Sequence, residues 1–110
     1  MNRSKRSFSD ASLAQFRAMS LKDACSYLGC YWKEDPDFVP IKDPVTKRVF
    51  ISNGSRVFEI LVTSSKWFDS RFNRGGGGAI DLVMYLFGLD FVGAVNLMQK
   101  RIISTAEASL

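Results

Sequence analysis

The chain of 110 residues has no histidine, two cysteines and three prolines, and each scarcity excludes something. Without an imidazole there is no Ser-His-Asp or Cys-His nucleophile pair, both of which need a base that works near neutral pH. Cys25 and Cys30 cannot build a disulfide framework, and a tetrahedral zinc site needs four ligands that this chain does not offer. No apolar run approaches the roughly 18 residues that span a bilayer, and the basic N-terminus lacks the apolar stretch of a signal peptide. These absences predict a non-enzymatic, cytoplasmic protein with no metal and no other cofactor. What is present is core material: 46% hydrophobic and 13% aromatic residues against 24% charged. That is enough for one self-sufficient domain of ordinary size and leaves no room for a two-domain enzyme. Fifteen basic residues against eleven acidic ones give a net charge of +4 and a pI near 9.3, compatible with nucleic acid but too mild to establish it.

Residues 1–9 are Ser-rich and basic and read as a flexible arm, in which Arg3, Lys5 and Arg6 would track phosphates or simply be solvated. Residues 10–103 form the domain and 104–110 a frayed tail. Ser9 or Asp10 caps a first helix with Leu13, Phe16 and Arg17 on one face. Ser20 and Asp23 resemble a capping box that opens a second helix through Leu21, Ala24, Cys25 and Leu28 to Gly29. All three prolines, Pro36, Pro40 and Pro44, fall in the next stretch, where a short edge strand near Phe38 to Lys42 would fit and where Glu34, Asp35, Asp37 and Asp43 read as a solvated loop. Arg48–Ser52 and Arg56–Val62 are runs rich in β-branched and aromatic residues that read as strands joined through Asn53-Gly54, a strong hairpin signal, and Lys66-Trp67-Phe68 returns as another strand after Thr63-Ser64-Ser65.

Asp69 to Gly78 reads as a loop containing Arg71, Arg74 and four successive glycines. It leads into Ala79–Phe87, a helix apolar almost all round and therefore the buried one. Asp90 caps a last helix with Phe91, Ala94, Val95, Met98 and Ile102 in one stripe. The expected fold is α+β: an antiparallel meander of three to four strands packed with two C-terminal helices and one or two N-terminal ones.

Two patterns point to an anionic polymer. Glycines before a helix let backbone N–H groups approach phosphate, with Gly76 and Gly77 at the centre, although the same glycines also serve a tight strand-to-helix connection. No Lys-Ser or Lys-Thr pair follows them, which excludes a nucleotide P-loop. Lys66, Trp67, Phe68, Arg71, Phe72 and Arg74 interleave cations with aromatic faces as single-strand binders do, while strand alternation sends Trp67 and Phe68 to opposite faces and at least one of them into the core. Asp81 reads as a structural carboxylate at the helix start, and Cys25 and Cys30 as small buried thiols.

Lys66-Trp67-Phe68-Asp69, the run Gly75-Gly76-Gly77-Gly78-Ala79-Ile80-Asp81-Leu82-Val83-Met84 and Phe91 with Ala94-Val95 resemble the N-terminal zinc-ribbon domain of bacterial DNA primases. The likeness is greater still to the zinc-free relatives of that domain in Toprim primase-like proteins of plasmids and other mobile elements, and it runs from about Ser20 to Ile102. Two departures stand out: Ser70-Arg71-Phe72-Asn73 stands where primases carry a Cys-x-x-Cys pair of zinc ligands before the glycines, and Gly78 stands where the family has an acid. The resemblance implies a zinc-ribbon-like core without zinc. It also implies a template-binding accessory module for single-stranded DNA that does not itself make primers, with Lys66, Trp67, Arg71 and Arg74 flanking the turn on which such contacts fall. The alternative is a small protein of a plasmid or phage that binds and inhibits a host nucleic-acid machine, as anti-CRISPR proteins do, in which case its partner is a nucleic-acid-processing protein complex.

Overall fold

In the computed structural model, which describes residues 8–108, Asn53 and Gly54 form the turn of an antiparallel hairpin between β2 (Lys47–Ser52) and β3 (Val57–Thr63). The Asn53 Oδ1 accepts the backbone N–H of Ser55 and of Arg56, both at 2.9 Å, and Gly54 takes the left-handed φ of 97° that this path requires. Ser64, at φ 57°, turns the chain into β4 (Lys66–Asp69). The sheet has five strands where the sequence predicts three to four, in the order β1-β2-β3-β4-β5 with every neighbour antiparallel.

Both additional strands correct the sequence reading. β1 is Tyr31–Glu34, ahead of the prolines, whereas Phe38 to Lys42 is irregular. Three prolines within one short stretch remove the N–H donors that a strand there would use. β5 is Arg74–Gly77, so most of the glycine run is an edge strand paired with β4 and not a loop.

The helices lie where capping predicts. Ser9 Oγ accepts the Ser12 N–H at the start of α1 (Asp10–Ala18), and Ser20 Oγ accepts the Asp23 N–H at the start of α2 (Leu21–Tyr27), each at 3.0 Å. α3 (Ala79–Phe87) ends at Gly88 in the left-handed region. Asp90 accepts the Gly93 N–H at 2.7 Å as α4 (Phe91–Ala108) begins, and α4 continues through Ser104, where a frayed tail is expected from the sequence.

α3 is apolar all round because it belongs to two cores. Leu82 and Leu86 pack with α2 against Val49, Ile51, Phe58, Ile60 and Trp67 of the sheet, while Ile80 and Val83 pack with Phe16 of α1 and Ala94, Val95 and Met98 of α4. These sheet residues occupy one face; Arg48, Phe50, Glu59, Leu61 and Phe68 alternate onto the other. Among the described residues no single helix is long and apolar enough to cross a membrane, and no group of three or more Cys, Asp or Glu side chains is arranged to hold a metal ion.

Candidate nucleic-acid interface

Antiparallel pairing brings the β2–β3 turn and the β4–β5 turn to the same end of the sheet, and three arginines meet there. Asp69, at the end of β4, is fully buried and organises the second turn: it accepts the Tyr85 hydroxyl of α3 at 2.7 Å and the Arg71 backbone N–H at 3.0 Å. Burial, reinforced by that bond to the Asp69 carboxylate, raises the Tyr85 phenol above its ordinary value. Asn73 takes a φ of 53°, a conformation that Asn tolerates, and reverses the chain into β5.

The turn side chains then pack on one another. The Arg71 guanidinium donates to the Val57 carbonyl at 3.3 Å, and its Cζ lies 5.9 Å from the centroid of the Phe72 ring. Arg56 lies over the same ring at 4.9 Å and over Phe58 at 4.4 Å. Arg74 lies 5.5 Å over Tyr85, whose ring meets Phe58 edge to face. Phe72 itself is 55% exposed. All three arginines are exposed, and among the described residues none is ion-paired. Arg48 differs: it is tied to Asp35 at 2.8 Å and faces Glu59 at 3.7 Å. The result is an exposed Phe72 ring among guanidinium groups that no carboxylate pairs with among the described residues, a surface suited to bases and phosphates.

No family model matches the chain. Nor does any solved structure. Over 59 residues the chain is 37% identical to a 65 kDa protein of Zymomonas mobilis subsp. mobilis, a stretch that is 54% of this chain and 10% of that protein. The chain thus spans about a tenth of the length of the curated relative it matches.

Of the residues singled out in the sequence, Arg71 and Arg74 come together, and Trp67, Gly76, Gly77 and Lys66 do not join them. Trp67 is 5% exposed and stacks on Tyr85 in the core, so it presents no face to a base. The N–H groups of Gly77 and Gly78 are engaged within the protein and are not offered to a phosphate. The Gly77 N–H is taken by the Asp81 carboxylate at 2.9 Å and the Gly78 N–H by the Ser65 carbonyl at 2.7 Å. A Cβ on Gly76 would land on that same carboxylate, so this glycine is there for close approach. Lys66 projects from the opposite face of the sheet, beside a groove of about 800 Å³ whose walls include Phe38, Ile41, Leu61 and Phe68. Arg3, Lys5 and Arg6 lie outside the described residues.

Arg56 and Tyr85 were not legible as site residues. Arg56 is fifteen or more positions from the other arginines, and the signal that would have found it is the register of the hairpin, which sets the end of one turn beside the start of the other.

Proposed function

We propose that this chain is a non-catalytic module that binds single-stranded nucleic acid, single-stranded DNA in the first place, through Arg56, Arg71 and Arg74 grouped around Phe72. The observation that supports this most directly is that, among the described residues, no carboxylate is paired with those three guanidinium groups. Phosphates of a single strand would supply the missing counter-charge, and an unpaired base stacked on the Phe72 ring would add about 1–3 kcal/mol. The likeness to the template-binding domain of mobile-element primases supports this reading, and a cytoplasmic location would go with it.

A second reading is favoured by the other face of the sheet. Ile41 and Phe68, both exposed, line the groove beside Lys66, the kind of apolar surface that protein partners cover. On this reading the chain is an adaptor or inhibitor of a nucleic-acid-processing complex.

Fluorescence anisotropy with labelled single-stranded DNA, duplex DNA and RNA at several salt concentrations separates the two. Saturable binding that prefers single strands and weakens with salt is the result expected, and no binding at low salt overturns it in favour of a protein partner.

A further inference from the structure

Helix α2 ends in a left-handed cap whose two closing residues are both cysteines. Gly29 takes a φ of 78°, its N–H bonds the Ser26 carbonyl at 3.0 Å, and the Cys30 N–H bonds the Cys25 carbonyl at 2.8 Å. This is the Schellman arrangement, in which the side chains of the two outer residues are brought together, ordinarily as an apolar contact. Here that contact is made by thiols. A disulfide bridges α-carbons about 4.4–6.8 Å apart, and two backbones joined by a hydrogen bond of this length fall within that span. Both side chains belong to the core between α2 and the sheet, and neither is bonded to another cysteine.

We propose that Cys25 and Cys30 are a redox-modification site, a dithiol that closes to an intramolecular disulfide in exchange with a small disulfide of the glutathione type. The two thiols are unequal. The hydrogen bond from Cys25 lowers Cys30, whereas that bond and burial push Cys25 far above the usual thiol range. Cys30 is also the more exposed, at 9% against 1%. Its thiolate attacks the small disulfide, forming a mixed disulfide and expelling one small thiolate. That thiolate takes up the Cys25 proton, and the Cys25 sulfur then attacks the Cys30 sulfur and expels the second. Two cysteine thiols are oxidised by two electrons, and one small disulfide is reduced to two thiols that carry both protons. The product clamps the end of α2 to the start of β1.

The test equilibrates the full chain with oxidised and reduced glutathione at graded ratios, folded and in denaturing urea. Free thiols are trapped with a maleimide, and the products are read by intact mass and peptide mapping. The expected product is a single-chain species lighter by two hydrogen atoms, with Cys25 joined to Cys30 and an equilibrium constant at least about tenfold larger folded than denatured. Glutathione on both cysteines, a bridge between two chains or equal constants in the two states overturns the proposal. In the single variants, Cys30 of Cys25→Ser should react with the maleimide at least about tenfold faster in the folded state than Cys25 of Cys30→Ser. The reverse order overturns the assignment of the attacking thiolate.

Discussion

The indole of Trp67 and the phenol of Tyr85 are stacked, with ring centroids 4.9 Å apart and planes inclined by 26°, and they join the fourth strand to the buried helix. Arg74 rests on that phenol. Trp67 therefore supports the proposed interface from beneath. The expected cost of Trp67→Ala is about 3–5 kcal/mol of stability. Trp67→Phe keeps an aromatic ring and removes an indole N–H that is buried without a partner, so it should fold and bind oligonucleotide as the parent does. Thermal melts and anisotropy on the same samples check this; weaker binding with an unchanged Tm would return Trp67 to the contact surface.

Arg56→Ala, Arg71→Ala and Arg74→Ala should each weaken binding to single-stranded DNA of any sequence and reduce the slope of log K against log salt by about 0.7. Their stability should fall by no more than about 1 kcal/mol, the worth of an exposed cation–π contact. Lys66→Ala, on the opposite sheet face, is the control and should leave the slope unchanged. A Lys66 effect as large as the arginine effects would move the interface to the groove.

Most of the architecture was legible because local chemistry and global fold agree. Ser20 caps where it should, Asn53-Gly54 turns where it should, and the doubly apolar α3 is the shared centre of two cores. β5 was not legible, because glycine disfavours strands and its extended state is imposed by what surrounds it: Asp81 occupies the place of a Gly76 side chain, and the Phe68 ring lies against Gly75. The same tertiary cause hid the site. Arg71 and Arg74 are near each other in the chain, but Arg56 joins them only through strand register. Trp67, read as half of a binding pair, went inward by the alternation that sent Phe68 out to 39% exposure.

Gly76→Ala should destabilise the domain by about 1–3 kcal/mol, because the new methyl group displaces the Asp81 carboxylate from the Gly77 N–H. In the double variant Gly76→Ala/Asp81→Ala the methyl group has more room. Its cost should be smaller than the sum of the two single costs, measured by urea unfolding as a double-mutant cycle. Strict additivity would show that the carboxylate is not what the glycine accommodates.

Two ionisable groups give pH dependence of opposite sense. The hydrogen bond from Arg48 holds the Asp35 carboxyl below its ordinary value, so its contribution is present above the unfolded carboxyl pKa and disappears as pH falls through the folded one. Arg48→Met should therefore flatten the acid limb of a stability–pH curve below about pH 4. Tyr85 is raised by burial and by Asp69, so its contribution is complete below the ordinary phenol pKa and lost as pH rises toward the folded value. Tyr85→Phe should remove the loss seen above about pH 10, at a cost near neutrality of about 1–3 kcal/mol for leaving the Asp69 carboxylate short of a donor.

The Asn53 side-chain amide donates to the Leu86 carbonyl at 2.6 Å. This fastens the hairpin turn that leads to Arg56 to the end of the helix that carries Tyr85, and with it the surface under Arg74. Together with the bonds from Asp69 to Tyr85 and to the Arg71 N–H, this ties the two turns to the same helix, so on the proposed reading an incoming strand would have mainly side-chain rotamers and its own bases to order. Binding should accordingly carry a small entropic penalty on the protein side and nearly unchanged backbone amide exchange on complex formation, with the free energy governed by ion release.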